Sequence, residues 1–115
     1  MKQIQQVSEL HKYIQNLTSE NKSVGFVPTM GYLHAGHDSL INKSKKENNI
    51  TIVSIYVNPT QFNNKHDYEK YPRNITADIK RLRRLNCDML FHPEDREITN
   101  LPKPNIKIQF DNLKE

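Results

Sequence analysis

The stretch "ITIVSIYV" over residues 50–57 limits the fold more than any other part of the chain. Six of its eight residues are β-branched, a near-continuous run rather than an alternating one, the pattern of a parallel strand buried on both faces. Parallel neighbours need crossover connections, usually helices, and the flanking sequence supplies them. Val7, Leu10, Ile14 and Leu17 fall at helical spacing, which predicts a helix over 8–19 with Ser8 as its N-cap. "SVGFV" (23–27) reads as a strand that Pro28 ends. A helix of modest amphipathicity follows over 37–47, around Leu40, Ile41 and Ser44. Residues 58–73 are rich in Asn and Pro without a period and read as a long loop. Asn74 then caps a helix over 75–86 whose apolar face is Ile75, Ile79, Leu82 and Leu85, and "DMLFH" (88–92) is a short strand. Helix, strand, helix, strand, helix, strand is the order of an α/β fold with a parallel sheet and flanking helices. Residues 1–99 form the expected domain, and 100–115 a tail in which "IKIQF" alternates as an edge strand.

At 115 residues the chain is large enough for one core and too short for two. No apolar run approaches the roughly 20 residues of a membrane span, and the N-terminus has no signal-peptide apolar region. The sole cysteine, Cys87, fits a reducing cytoplasm and reads as a small buried hydrophobe. A cytoplasmic protein without a membrane partner is expected. The formal net charge is +4, with a cluster at "KRLRRL" (80–85). Lys80, Arg81, Arg83 and Arg84 lie off the apolar stripe, as on any solvated helix face. No aromatics interleave with them to stack bases, so no nucleic-acid partner is expected.

"PTMGYLHAGH" (28–37) holds two of the chain's 3 glycines and two of its 5 histidines. It follows a strand and opens a helix, so it lies at the carboxyl edge of the sheet, where such folds bind ligands. A helix N-terminus presents free N–H groups and partial positive charge, a site for phosphate. Gly31 lets backbone approach a ligand, and Gly36 leaves room beside a flat base or sugar. His34 and His37, three apart, can project to one side and donate to phosphate oxygens. The helix dipole lowers a histidine pKa there, and an arriving polyphosphate raises it. A zinc site would need about four ligands, and neither Cys87 nor His66 has recognisable spacing to the pair, so no metal ligands are assigned.

The string "VGFVPTMGYLHAGHDSL", followed by "VSIYVNPTQF", "YPR" and "CDMLFHPEDREI", resembles the N-terminal half of the pantoate/beta-alanine ligase (pantothenate synthetase) family over about residues 22–99. The wider resemblance is to nucleotidyltransferases with an "HxGH" signature. The resemblance implies a Rossmann-like domain, ATP and Mg2+, and joining of pantoate to beta-alanine through a pantoyl adenylate, a step of coenzyme A biosynthesis. It places Pro28, Thr29, Met30, Gly31, Tyr32, Leu33, His34, Ala35, Gly36 and His37 against ATP. It makes His37 the catalytic histidine, described as a proton donor, and His34 its phosphate-binding partner. Gln61 matches the contact to pantoate and beta-alanine, with Asn58 either its companion or a turn former. Tyr71 and Arg73 either close over substrate or anchor the loop. Members of the family dimerise, which raises a homodimer as a partner.

Tyr32 and Ala35 depart from the small and acidic residues common at those places, without removing a donor. The family's "PGHF", "GxKDxQQ" and "SSRN" segments do not occur. The chain is therefore expected to be the N-terminal part of a larger two-domain enzyme, weakly active or inactive by itself. The alternatives are another HxGH-type nucleotidyltransferase, which would differ in its lead-in to the histidines, and a basic nucleic-acid-binding module.

Overall fold

The computed structural model describes residues 1–99. In chain order the elements are β1 (Lys2–Ile4), α1 (Val7–Ser19), β2 (Val24–Thr29), α2 (Ala35–Glu47), β3 (Ile50–Ile55), a 3-10 turn (Pro59–Gln61), α3 (Lys65–Lys70), α4 (Ile75–Arg84), β4 (Met89–Phe91) and α5 (Asp95–Thr99). Four strands form one sheet in the order β1-β4-β3-β2, and every neighbouring pair is parallel. The expected α/β architecture with flanking helices is present.

The predicted central strand is β3, in which Thr51, Ile52, Val53 and Ser54 are all buried. Its alternate residues serve two apolar clusters. Ile52 packs with Ile4, Val7, Leu10, Met89 and Phe91 on the α1 side. Val53 packs with Val27, Ile41, Leu82, Cys87 and Leu90 on the side of α2 and α4. This division follows from topology: right-handed crossovers that step in one direction, β2 to β3 to β4, put their helices on one face, and the return from β1 to β2 puts α1 on the other. Thr51 is buried without penalty because its Oγ1 lies 2.7 Å from Ser44 Oγ and its N–H donates to Asp88 Oδ2 at 2.7 Å. Cys87 is buried as expected.

Several local expectations are corrected. Pro28 does not end β2, which runs on through Thr29 and pairs Pro28 with Ser54. The strand is at the sheet edge, and the carbonyls of Ser23 and Thr29 point to β3, where they accept from the N–H groups of Ile50 and Tyr56. Pro28, of opposite parity, turns its missing N–H to the open side, where no ladder bond is lost. Ser8 is not the N-cap of α1: Gln6 holds that position without a side-chain bond, and the Glu97 carboxylate accepts from the Val7 N–H at 2.9 Å instead. Residues 58–73 are not all loop. Asn58 and Asn64 accept from the amides of Thr60 and Asp67, which starts the 3-10 turn and α3. Helix α4 begins after Asn74, whose side chain accepts from the Ala77 N–H, as predicted, and ends at Arg84. β1 and α5 were not anticipated. No helix among the described residues is long and apolar enough to cross a membrane. The tail 100–115 with "IKIQF" lies outside the described residues.

Candidate active site

The carboxyl ends of β2, β3 and β4 bring residues 30–37, 56–74 and 92–95 to one edge. β2 leaves the sheet at Thr29, whose Oγ1 donates to the Ser54 carbonyl at 2.9 Å and accepts from the Gly31 N–H at 3.0 Å. The chain then reverses through two left-handed residues, Gly31 at φ 81° and Tyr32 at φ 55°. Gly31 has a second reason to be glycine: a Cβ there would lie 3.0 Å from Ile55 Cγ2 and 3.2 Å from Asp78 Oδ2. That carboxylate, 4% exposed on α4, accepts from the Tyr32 N–H at 3.0 Å and the Leu33 N–H at 2.9 Å.

Helix α2 starts at Ala35, two residues earlier than expected, because His34 is its N-cap. His34 Nδ1 accepts from the Gly36 N–H at 3.0 Å, and His37 Nδ1 accepts in return from the His34 N–H at 3.1 Å. The rings are tilted by 49° with centroids 4.2 Å apart. This is the logic of a capping box carried out by two imidazoles. With each Nδ1 accepting, the neutral rings carry their protons on Nε2, and each offers one N–H donor. The space beside Gly36 is occupied by the His34 ring, since a Cβ would lie 2.9 Å from its Cε1. The His37 pKa is lowered, chiefly by burial and then by neighbouring His34, with Arg81 adding and Asp78 and Asp38 opposing. A neutral donor follows.

One turn on from Asp78, Arg81 is not part of a free basic face. Its Nε and Nη2 donate to Asp38 Oδ1 and Oδ2 at 2.7 and 2.8 Å. The guanidinium bonds hold the Asp38 carboxyl below its ordinary pKa. Lys80, Arg83 and Arg84 are exposed as expected.

Beside this loop a cleft of about 450 Å³ is lined by Met30, Gly31, Tyr32, Tyr56, Tyr68, Arg73, Asp78, His92 and Asp95, among others. Burial, then the Asp95 carboxylate, pushes the Tyr56 hydroxyl up to about 12, and burial lowers His92. The other predicted residues sit apart from that lining. Leu33 packs against the α2 and α4 side of the core, while His34, Ala35 and Gly36 are exposed on the first turn of α2. Asn58 Oδ1 is used in the turn, accepting from the Thr60 N–H at 3.0 Å and the Thr60 hydroxyl at 2.8 Å. Gln61 is exposed, and neither it nor Asn58 lines the cleft. Arg73 anchors its loop by donating to the carbonyls of Tyr71 and Tyr68 at 2.8 and 3.0 Å. Phe62 packs edge-on against Tyr68 and Tyr71. Among the described residues no group of three or more His, Cys, Asp or Glu could hold a metal ion.

Sequence reasoning missed Asp78, Tyr56, His92 and Asp95. Only Asp78 left a signal: it sits between Ile75 and Leu82 on the apolar stripe of its helix, where an acid must find partners.

A sequence model of the pantoate-beta-alanine ligase family matches residues 2–115. The chain is 47% identical over 98 residues to pantothenate synthetase of Thermotoga petrophila, covering 85% of this chain and 35% of that protein. It is 46% identical over 112 residues to pantothenate synthetase of Francisella tularensis subsp. novicida, covering 95% and 42%. Among solved structures, pantoate-beta-alanine ligase from Francisella tularensis, complexed with beta-gamma ATP and beta-alanine, superimposes with a TM-score of 0.78 at 48% identity, covering 85% of this chain and 37% of that one. Pantothenate synthetase from Thermus thermophilus gives 0.75 at 39% identity, covering 84% and 33%. The chain thus spans about a third to two-fifths of the length of these relatives.

Proposed function

The chain belongs to the pantoate-beta-alanine ligase family, and from that premise we propose that residues 1–99 are a nucleotide-binding domain of an enzyme condensing pantoate with beta-alanine at the expense of ATP. The observation that carries this reading is the reciprocal imidazole cap of α2, which leaves two Nε2–H donors at an exposed helix N-terminus on the carboxyl edge of the sheet. In the first step the pantoate carboxylate attacks the α-phosphorus, a new P–O bond forms, the bond to the bridging oxygen breaks, and pyrophosphate leaves. Negative charge grows on that bridge and on the leaving phosphates. His34 and His37 donate to these oxygens, and donors fixed in advance stabilise the transition state more than the ground state. Keeping His37 neutral suits this role, because protonating its Nδ1 would break the bond to the His34 N–H. In the second step the amine of beta-alanine attacks the acyl carbon, AMP leaves with the bonding electrons, and the amine gives up a proton.

Gln61 and the segment it begins are assigned to pantoate and beta-alanine, and Asn58 to shaping the turn that presents Gln61. The described residues offer no three-ligand metal group, so Mg2+ is assigned no protein cage and no step. Bound to ATP phosphates it needs few protein ligands.

Calorimetric titration of the 115-residue chain with ATP and Mg2+ tests the reading, with an assay for AMP released on adding pantoate and beta-alanine. ATP binding that is lost in His34→Ala and His37→Ala, while both variants stay folded, supports it. Indifference of binding to both substitutions, or a preference for polynucleotides with steep salt dependence, overturns it.

A further inference from the structure

We propose that α4 is the positioning element of this loop: Asp78 fixes the amides just before the imidazole pair, Arg81 fixes the helix turn just behind it, and ATP affinity depends on both although neither touches the nucleotide. The proposal rests on the nucleotide-binding reading above.

Asp78 is 4% exposed, and each of its oxygens takes one loop amide, Tyr32 at 3.0 Å and Leu33 at 2.9 Å. A buried carboxylate is costly unless its oxygens are satisfied, and here the loop satisfies them. The loop gains as much from the carboxylate. Tyr32 is held at φ 55°, a left-handed conformation that a side chain disfavours and that persists only where surroundings enforce it. The residue after the two bonded amides is His34, so their placement sets where the first imidazole begins.

Arg81 follows three residues later on the same face of α4. Its two bonds to Asp38 are parallel and bidentate, a geometry that fixes orientation as well as distance. Asp38 adjoins His37 in the chain. The two grips therefore bracket the histidine pair, one on each side, from a single rigid helix. That helix is itself capped by Asn74, at the end of the segment that carries Gln61, which ties the pantoate side of the proposed site to the phosphate side.

The test is titration of the 115-residue chain with ATP and Mg2+, at a temperature where dichroism and amide spectra show every variant folded. Asp78→Asn keeps the shape but turns one acceptor into a donor facing an N–H. ATP should bind about tenfold more weakly or worse, the effect of one lost charge-assisted bond, and the Tyr32 and Leu33 amide resonances should move. Leu82→Ala, fully buried on the same helix, is the control for stability alone and should bind ATP within about twofold of the parent. Binding by Asp78→Asn within about twofold, or an equal loss in Leu82→Ala, overturns the proposal. If Asp78→Asn does not fold, Arg81→Lys decides: about threefold weaker binding or more supports the grip, and parental affinity overturns it. Parental binding with an indifferent Asp78→Asn defeats this proposal alone, whereas an unsubstituted chain that binds no ATP defeats the nucleotide reading and this proposal with it.

Discussion

Replacing Gly36 with alanine separates the histidine cap from the stability of the fold. The new methyl would stand 2.9 Å from His34 Cε1 and 3.1 Å from its Nδ1, closer than carbon atoms tolerate, and no other neighbour crowds it. The His34 ring is at the exposed end of its side chain, so the ring moves rather than the backbone. Two energies then oppose each other. Losing the bond from the Gly36 N–H to Nδ1 removes an N-cap, about 1 kcal/mol. Exchanging glycine for alanine within a helix returns up to about 1 kcal/mol. The net change is near zero, so the melting temperature should stay within roughly 4–8 °C of the parent. Binding has no such compensation. The displaced ring leaves its partner, now at a centroid distance of 4.2 Å, and takes its Nε2 donor with it. ATP affinity should fall about tenfold, the value of one good hydrogen bond to a charged group. Thermal unfolding by dichroism and calorimetric titration of the same sample read both quantities. Unchanged affinity with an unchanged melting temperature would refute the role given to the ring, and a fall beyond roughly 10 °C would show that the methyl meets something less yielding.

Gly31→Ala should behave in the opposite way: the left-handed φ of 81° and contacts at 3.0 and 3.2 Å should cost about 2–3 kcal/mol, and a loss below about 1 kcal/mol by urea unfolding would contradict the crowding. His37 and His92 both have pKa values below the ordinary 6.5, so as pH falls through that value the unfolded chain takes up protons first. Stability should therefore drop between about pH 7 and pH 5, less steeply in His92→Gln, and stability that is flat or rising on acidification would refute the assignment. Cys87 is buried, and burial pushes its thiol up, so alkylation by iodoacetamide should be negligible in the folded chain and appear only with unfolding; rapid native labelling would show the cysteine accessible.

What the residue pattern made legible was whatever one short window could decide. "ITIVSIYV" reads as a central parallel strand because β-branched residues without alternation have few other uses, and Asn74 reads as an N-cap because capping is settled within three residues. β1 was illegible for the complementary reason. Its three residues carry no period, and it exists through pairing with Met89–Phe91 at the far end of the described chain. The start of α1 failed likewise: Ser8 is the local candidate, but the Val7 amide is satisfied by Glu97, ninety positions away. Pro28 was misjudged because whether a proline ends a strand depends on which side of the sheet its missing N–H faces, and no local window contains the sheet edge.

The same distinction runs through the site. The histidines were found by spacing, and their proximity at a helix start holds. Their tautomers were not readable, because these depend on which backbone amide each Nδ1 meets. Gln61 was proposed by motif and is exposed outside the cleft lining: a motif fixes a residue's order along the chain and not its surroundings in the fold. Asp78 is the instructive case. At the fourth position of α4 it could pass for a favourable charge near a helix N-terminus, worth a fraction of a kcal/mol. Burial changes that valuation: a carboxylate with 4% exposure must be fully bonded, so its two partners, Tyr32 and Leu33, become as constrained as the acid itself. The residue that holds this loop in place is thus best recognised as an acid on an apolar stripe, a conflict within its own helix that only another segment can resolve.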